Sequence, residues 1–538
     1  MTKPSVLHRI RHNLRTRDSL YHPRSKYYKW FVLANVMIGT FMAVLDGTIV
    51  NVGLPKIMSA FGVSLSTIQW VITAYMLAMA AMLPTSGWLA DKFGYKKTYF
   101  CGLLLFTLGS MLCGMSNDEI SLIASRIVQG LGGGIVQTLG MAIIVREFPS
   151  GQRGVALGFW SIASAASVSF GPLIGGYLVD NFGWQLIFDV NIPVGIFGLL
   201  FTIIVQREVK NPNTLKFDLL GFISVSIFLP VFLYALTEGN DASNSEGWRA
   251  PYILACFAIS GFAFVTFVTR ELTTSHPLIN LRLLGYHNFG LGATFIMIFG
   301  MGMFGSTFLL PLFLQNAMDY TALQSGAVFL PVGIIQGCIA PLVGITSDKT
   351  NPKVLPFIGI CLLSLSFYVN TRFSFMSEHP AIMLSLYLRG LGMGMIFTPL
   401  NSLALLNLPR EQIAQASSIM NTMRQIGGSL GIAIFTTMLT ARTNFHSQMY
   451  GQAINSQSEA FKDVTQNMAY YIQQHGGGSF ATAAKQSQAI VSSHVNTQAF
   501  IEGINDDFWI ACIITVLGLI PIMMMYSRKK AMAKSNNY

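Results

Sequence analysis

Residues 120–145 read ISLIASRIVQGLGGGIVQTLGMAIIV, an apolar run that contains one charge, Arg126. At about 1.5 Å per residue, a helix of this length crosses the roughly 30 Å hydrocarbon core of a bilayer. A charge at that depth is costly and marks a functional site. The only acids deep enough to pair with it are Asp46 and Asp189, in two other apolar runs. A buried basic and acidic set inside a helix bundle is typical of a proton-coupled carrier.

The composition places the whole chain in a membrane. Of the 538 residues, 52% are hydrophobic and only 11% are charged, whereas a soluble chain carries roughly 25% charge. Apolar runs near 20 residues recur from end to end and predict an all-α polytopic membrane protein with fourteen spans. They are predicted at about 31–52, 69–90, 98–116, 120–145, 155–179, 184–205, 219–237, 250–269, 289–314, 325–346, 354–373, 381–406, 414–439 and 508–526.

The basic residues predict the orientation. With the N-terminus in the cytoplasm, 25 of the 34 Lys and Arg residues fall in cytoplasmic segments and 6 in outer segments. This split predicts that both termini are cytoplasmic. The net charge of +11 is then explained by topology and by attraction to the inner leaflet, so we expect no nucleic-acid partner. The six Cys residues all fall in spans without metal-ligand spacing, and we expect neither a metal nor another cofactor.

The chain repeats itself at nearly one offset. Gly87-Trp-Leu-Ala-Asp91-Lys92 matches Gly344-Ile-Thr-Ser-Asp348-Lys349, 257 residues later (344 − 87). The stretch that begins at Gly130 matches the one at Gly390, an offset of 260 (390 − 130). Duplicated six-span halves with substrate between them are a known transporter plan. The predicted organisation is a basic tail (1–29), an N-terminal six-helix bundle (30–206), a linker with two extra helices (207–270), a C-terminal six-helix bundle (271–526) that includes an outer loop (440–507), and a second tail (527–538).

The predicted outer loop 440–507 is rich in Gln, Ser, Asn and Ala and is broken by three consecutive glycines at 476–478. Its apolar residues are spaced well enough for short helices. Two interpretations stay open, a solvated loop and a docking surface for a partner outside the membrane.

Asp46 and Arg126 are predicted at compatible depths, both in the outer half of the hydrocarbon core. Desolvation favours the protonated form of a carboxylic acid, whereas a nearby guanidinium favours the carboxylate. A change in the distance between the two side chains would therefore take up or release a proton. The alternative is a static ion pair that holds helices together. Asp189, five residues after Trp184, is a second candidate for the same role.

Two further motifs combine glycines with functional side chains. At the predicted inner end of the second span, an acid and several cations sit on a tight turn and can pin helix ends together: Gly87, Asp91, Lys92, Gly94, Lys96 and Lys97. The fifth span carries glycines that let backbones approach closely and a proline that kinks the helix: Gly158, Gly171, Pro172, Gly175 and Gly176. Four polar residues inside spans are candidates for a substrate cavity: Asn51, Gln129, Asn421 and Arg424.

These motifs together resemble the major facilitator superfamily. The stretch from Gly87 to Lys97 is similar to its signature cytoplasmic loop, and Arg126-Ile-Val-Gln-Gly130 resembles its fourth-helix motif. The fifth span fits the antiporter motif of exporters, with Ser167 in place of one glycine. Three more stretches resemble signatures of the fourteen-span drug:proton antiporters: Leu45 to Pro55, Trp184 to Gly195, and Asn421 to Gly428.

The resemblance implies the major facilitator fold, with two six-helix bundles plus two inserted helices. Loop 440–507 followed by Phe508-Trp509 is most similar to the Emr-type multidrug exporters. That similarity implies a pump of a Gram-negative inner membrane, with a periplasmic membrane fusion adaptor and an outer-membrane channel as partners.

We therefore predict a proton-coupled exporter of amphipathic or apolar small molecules that works by alternating access. A dedicated cargo such as a siderophore or lipid precursor is the alternative within the same fold. An ATP-driven pump or membrane enzyme is disfavoured because the sequence has no Gly-x-x-x-x-Gly-Lys-[Ser/Thr] loop and no nucleophile constellation. A passive channel or a structural membrane protein is disfavoured, because neither explains the buried Arg126 or the duplicated halves.

Overall fold

In the computed structural model, all regular secondary structure in the described residues is helical. These residues are 27–149, 153–209, 218–239, 244, 246–275, 277–349, 353–405, 408, 412–453, 459–476 and 479–526. The predicted terminal tails lie almost wholly outside this part of the chain.

The first eight helices are α1 (Tyr28–Phe61), α2 (Leu65–Ile68), α3 (Trp70–Phe93), α4 (Tyr95–Gly114), α5 (Glu119–Glu147), α6 (Arg153–Phe182), α7 (Leu186–Asp189) and α8 (Asn191–Val205). We call them the first group. The inserted pair follows as α9 (Leu219–Glu238) and α10 (Pro251–Thr273). The second group is α11 (His287–Asn316), α12 (Ala322–Ala327), α13 (Leu330–Lys349), α14 (Val354–Asn370), α15 (His379–Ala404), α16 (Ile413–Ala453), α17 (Glu459–Gly476), α18 (Phe480–Leu517) and α19 (Leu519–Met524).

Eleven helical segments in the described residues are long and apolar enough to cross a membrane. The other three predicted spans coincide with α6, with α14 and with the first part of α16. Of these, α14 is an apolar helix of 17 residues, which spans about 26 Å. The chain is thus a multi-pass helical membrane protein, while the total of fourteen spans stays a prediction.

The glycines of the repeat make the same contacts twice. A methyl group in place of the Gly130 hydrogen would lie 2.5 Å from the carbonyl oxygen of Tyr75. At Gly390 it would lie 2.9 Å from the carbonyl oxygen of Val332, which follows Tyr75 by 257 residues (332 − 75). The packing of α5 on α3 therefore recurs as the packing of α15 on α13. Close backbone approach without a Cβ is what these positions require.

A second pair of glycines repeats the contact with the next helix. A methyl group at Gly132 would lie 2.6 Å from the carbonyl oxygen of Gly102, and one at Gly392 would lie 2.6 Å from that of Gly359. The partners again differ by 257 residues (359 − 102). The offsets found in the sequence therefore relate contacts between helices in the two groups as well as sequence motifs.

The polar segment 440–507 differs from the short helices expected there. Helix α16 continues without a break from the predicted span to Ala453, and α18 begins at Phe480, far ahead of the predicted span at 508. Between them, α17 packs on α18, where the Ser487 hydroxyl donates to the Thr465 carbonyl at 2.7 Å. The described residues of the segment thus belong to the elongated helices α16 and α18 and to one added helix, α17. Polar residues with good helix propensity prolong a helix that hydropathy ends at the membrane surface.

The two ends of the bundle can be told apart by this extension. We call the end that carries it the loop end, and the opposite end, near Tyr28 and Tyr526, the tail end. The inserted pair contacts both groups at the loop end. Gln69 donates to the Thr237 hydroxyl at 2.9 Å, and Thr437 donates to the Leu236 carbonyl at 3.3 Å.

Candidate functional site

The first helix, α1, carries the predicted acid in its middle. Its 34 residues are mostly apolar, and Gly62 ends the helix with a left-handed backbone (φ 66°). Asp46 is completely buried. Its Oδ1 accepts hydrogen bonds from Gln129 at 2.8 Å and from Asn191 at 3.0 Å, and its Oδ2 accepts one from Arg126. Three donors to one carboxylate offset much of the cost of burying a charge.

Arg126 lies on α5 and is also completely buried. Besides Asp46, its guanidinium donates to the Gln129 side chain at 2.6 Å and, through Nε, to the Val71 carbonyl at 2.9 Å. The Tyr75 ring lies against the guanidinium, 4.1 Å from its carbon atom. Nη2 is buried without a hydrogen-bond partner among the described residues. The sequence thus placed the acid and the guanidinium at matching depths, and the structure brings them into contact.

Asp189 does not join this network in the described part of the chain. It is half-buried at the end of α7, and its carboxylate packs beside Gly114 on α4. The neighbouring helix α8 begins at Asn191, which is the residue that reaches Asp46. Hydropathy places both side chains near the same depth, but the break between α7 and α8 decides which of them points at α1. Asn191 was missed because a neutral amide in an apolar run looks like a minor polar interruption.

Gln129 belongs to the buried network in this structure. We expected it to line the substrate cavity, but it is completely buried between Asp46, Arg126 and Ser110, whose hydroxyl accepts from its amide at 2.5 Å. The reason is helix geometry, because a residue three positions after Arg126 shares its face of α5.

The other cavity candidates lie on α1 and α16. Asn51 is buried on α1, where Pro55 cannot donate to its carbonyl. Asn421 and Arg424 are half-buried on α16, and the Arg424 guanidinium lies 5.4 Å from the ring centre of Phe397.

The fifth-span motif contacts the acid-bearing helix. A methyl group at Gly171 would lie 2.2 Å from the Thr48 hydroxyl, and one at Gly175 would lie 2.9 Å from the Ile49 carbonyl oxygen. The Ser167 hydroxyl donates to the Phe41 carbonyl at 3.0 Å. Helix α6 therefore follows α1 closely along the turn that carries Asp46. Gly158 lies nearer the start of the same helix, α6.

The same motif contacts the second group of helices. A methyl group at Gly176 would lie 2.3 Å from the Ala322 carbonyl oxygen, and one at Gly326 would lie 2.0 Å from that of Pro172. Beside this contact, the Asp180 carboxylate accepts hydrogen bonds from the backbone N–H groups of Ala322 and Leu323, at 3.2 and 2.7 Å. These are free donors of the first turn of α12, which a carboxylate satisfies well. Asp180, which the sequence analysis did not single out, thus ties the two groups together at the loop end.

The motif from Gly87 to Lys97 lies at the tail end and forms a tight turn between α3 and α4. Gly94 has a φ of 103°, which favours glycine. The Lys96 ammonium donates to the carbonyls of Ile203 and Gln206, at 2.5 and 2.6 Å, and so caps the end of α8.

The other side chains of that motif contact their immediate neighbours. Asp91 accepts from the Tyr95 hydroxyl at 3.3 Å, and the Lys92 ammonium lies 4.6 Å from the ring centre of Trp88. Lys97 is exposed, and a methyl group at Gly87 would meet nothing within 4 Å. The motif therefore fastens α3, α4 and α8 to one another within the first group.

Comparison with known proteins identifies the class to which this fold and this buried site belong. Residues 36–432 match the model of the Major Facilitator Superfamily. The chain is 30% identical to the multidrug export protein EmrB of Escherichia coli (strain K12), over 90% of this chain and 93% of that protein. The chain therefore belongs to the major facilitator superfamily of membrane transporters, and it resembles the Emr-type multidrug exporters. It is a transporter and not an enzyme.

Another relative is similar to this chain in sequence, and two solved structures are similar to it in fold. The chain is 31% identical to the uncharacterized MFS-type transporter YhcA of Bacillus subtilis (strain 168), over 91% of each protein. A bacterial homologue of the human lysosomal transporter Spinster shares its fold with a TM-score of 0.60 at 15% identity, covering 94% of this chain and all of that one. For the xylose transporter XylE from E. coli the TM-score is 0.54 at 13% identity, covering 86% and 96%.

Proposed function

We propose that the protein is a proton-coupled antiporter that exports amphipathic or apolar small molecules. The observation that carries the proposal is the completely buried ion pair of Asp46 and Arg126, on two helices of a transporter. A buried ion pair is weak evidence for a purely stabilising role, because desolvation offsets most of its attraction. Ionisable side chains inside membrane spans more often lie on ion or proton pathways.

The proposed coupling follows from the donors around Asp46. When the carboxyl group takes up a proton, it no longer balances the positive charge of Arg126, and one of its oxygens becomes a donor. The three hydrogen bonds that it accepts then lose the strength that the negative charge gave them. Helix α1 is thereby loosened from α5 and α8. Protonation from outside would favour one facing state, and substrate binding would favour the other.

The energy available is adequate for this role. One proton that moves inward down a potential of about 100 mV releases about 2.3 kcal/mol. That supports a substrate gradient of a few tens-fold, since about 1.4 kcal/mol corresponds to a factor of ten.

We further propose that the loop end faces outward and that the protein lies in a bacterial inner membrane with both termini in the cytoplasm. Two features support a gate at the loop end, the glycine contact between α6 and α12 and the hydrogen bonds of Asp180. The fastened turn around Lys96 would serve as the rigid element at the tail end. Substrate would bind between the two groups, near Asn51, Asn421 and Arg424.

The exposed extension at the loop end supports a partner outside the membrane. Tyr470 and Tyr471 on α17 are 56% and 64% exposed, although the segment around them is polar. Exposed aromatic residues are enriched at protein interfaces. We propose that this surface binds a periplasmic adaptor that leads to an outer-membrane channel. Replacing both tyrosines with serine is expected to weaken co-purification with a candidate adaptor while transport in vesicles is unchanged. Full adaptor binding by that variant would count against this surface.

The coupling proposal is tested by transport in reconstituted vesicles with Asp46→Asn. We expect efflux driven by a pH gradient to fall at least tenfold, while substrate exchange without a gradient continues. The reason is that an amide keeps the shape of the carboxyl group but cannot exchange a proton.

Asp218→Asn provides the matched control. Asp218 is also a buried acid that pairs with an arginine, Arg270, at 3.0 Å, but it lies in the inserted pair. Coupled transport by this variant should stay within about twofold of the unmodified protein. Undiminished coupled efflux by Asp46→Asn would reject the proposed role of Asp46.

A further inference from the structure

Helix α3 contacts the buried ion pair with two residues one turn apart. The Val71 carbonyl accepts from Arg126 Nε, and the Tyr75 ring lies against the same guanidinium. The Tyr75 hydroxyl also donates to the Ala43 carbonyl of α1 at 3.0 Å. Tyr75 is 2% exposed. It therefore touches both helices of the ion pair, since Arg126 lies on α5 and Ala43 is less than one turn before Asp46.

The same part of α3 contacts the second group of helices. Gln425 on α16 donates its side-chain amide to the Met79 sulfur at 3.0 Å. A methyl group at Gly428 would lie 2.3 Å from the terminal carbon of Met76. Met76 directly follows Tyr75, and Met79 is one turn further on. Both methionines are less than 5% exposed, so this contact between the groups is closely packed.

The partners of Arg126 lie unevenly on the helices around it. Asp46 belongs to α1, Gln129 to α5 itself, Phe188 with its more distant ring to α7, and both Val71 and Tyr75 to α3. If Asp46 loses its charge, the guanidinium keeps its contacts to α3. A cation against the face of an aromatic ring is attracted by the ring, and more strongly in a desolvated site. Loss of the charge on Asp46 would therefore release α1 from Arg126, while α3 would keep its contacts with the guanidinium. Tyr75 is the residue of α3 that would still contact both Arg126 and α1.

From this arrangement we infer that Tyr75 is a positioning residue for coupling, which links the state of the Asp46–Arg126 pair to the contact of α3 with α16. The inference rests on the proposed proton-coupled transport. It adds a route from the proton site to the interface between the two groups, through Tyr75 and the adjacent Met76 and Met79. A rigid helix that both sites contact is a physical basis for such coupling.

The test compares Tyr75→Leu, Tyr75→Phe and Tyr99→Phe in reconstituted vesicles. Tyr99 is the matched control, because it is completely buried and donates to another α1 carbonyl, that of Asn35, at 3.4 Å, without lying against Arg126. Two rates are measured for each variant, efflux driven by a pH gradient over a series of pH values and gradient-free substrate exchange. Spin labels on the loop-end tips of α3 and α16 report how the distance between these helices changes with pH.

For Tyr75→Leu we expect coupled efflux to fall at least tenfold, exchange to stay within twofold, and the pH dependence of the distance between α3 and α16 to flatten. Tyr75→Phe keeps the ring and should retain an intermediate rate with a shifted pH profile. Tyr99→Phe should match the unmodified protein in both rates.

Two results would overturn the inference. One is a Tyr75→Leu variant whose pH profile matches the unmodified protein. The other is an equal loss of efflux and exchange in both Tyr75 variants, which indicates a purely structural role. The proposed function fails separately, if the unmodified protein shows no efflux driven by a pH gradient or if Asp46→Asn keeps it.

Discussion

The two groups of helices share their packing but differ in the chemistry that they bury. Gln129 on α5 and Arg389 on α15 occupy corresponding positions, 260 residues apart (389 − 129). Gln129 hydrogen-bonds Ser110 on the neighbouring helix, and the Arg389 guanidinium lies 5.1 Å from the ring centre of Phe367. Ser110 and Phe367 are themselves 257 residues apart (367 − 110). The same contact between helices thus holds a hydrogen bond in one group and a cation beside an aromatic ring in the other.

The buried arginines of the two groups also differ in their partners. Arg126 is balanced by Asp46, whereas none of the three guanidinium nitrogens of Arg389 has a hydrogen-bond partner among the described residues, although the side chain is 3% exposed. Duplication therefore preserved the close approach of the helices at their glycines and left the polar positions free to diverge. The pair proposed as the proton site, Asp46 and Arg126, lies in the first group.

The largest difference in stability is expected between variants that remove Arg126 and Arg389, one at a time. Arg126→Met leaves Asp46 buried without its cation and should destabilise the protein by about 3–5 kcal/mol, as breaking a buried ion pair does. Arg389→Met removes a cation that has no acidic partner and should be neutral or stabilising. Thermal unfolding in detergent separates the two. Equal losses in both variants would mean that Arg389 has an acidic partner after all.

The next largest effect on stability concerns the glycine contacts that occur in both groups of helices. Gly132→Ala and Gly392→Ala each place a methyl group 2.6 Å from a backbone carbonyl oxygen, so both should cost about 1–3 kcal/mol through overpacking. Gly337→Ala is the control, because a methyl group there meets nothing within 4 Å and Ala80 stands 257 residues earlier (337 − 80). It should be neutral or slightly stabilising, since alanine favours a helix. If only one of the two glycines proves sensitive, the packing of the two groups is less alike than the contacts indicate.

A smaller effect is expected where the groups meet at the loop end. Asp180→Asn removes the charge that faces the first turn of α12 and should weaken the closed loop end by about 1 kcal/mol. The measurement is labelling of single cysteines placed on α6 and α12 at the loop end, which should become faster. Asp118 is the N-cap of α5, and its carboxylate accepts a hydrogen bond from the backbone N–H of Ser121 in that helix, so Asp118→Asn should leave this labelling unchanged. Unchanged labelling in Asp180→Asn would argue against a gate at this contact.

The smallest effect should follow Ser110→Ala, which removes one hydrogen bond of Gln129. We expect a loss of about 1 kcal/mol in stability and a modest shift in the pH dependence of coupled efflux, because Gln129 remains bound to Asp46 and Arg126. Cys512→Ala is a control of similar size in the second group, where the thiol donates to the Ser364 carbonyl at 3.4 Å. It should not shift the pH dependence. A shift of similar size in both variants would show that the two groups share the proton site.

The amino-acid sequence by itself determined the membrane location, most of the helices, the family and the repeat, and it placed Asp46 and Arg126 at matching depths. These properties depend on hydropathy, on helix rise and on local motifs, all of which are read along the chain. Tertiary structure alone decided that Asn191 rather than Asp189 faces the acid, that Gln129 is buried with it, that Tyr75 lies against the guanidinium, and that α16 and α18 extend beyond the predicted membrane surface. The physical reason is that depth follows from position along a helix, whereas the direction of a side chain follows from how neighbouring helices rotate and pack.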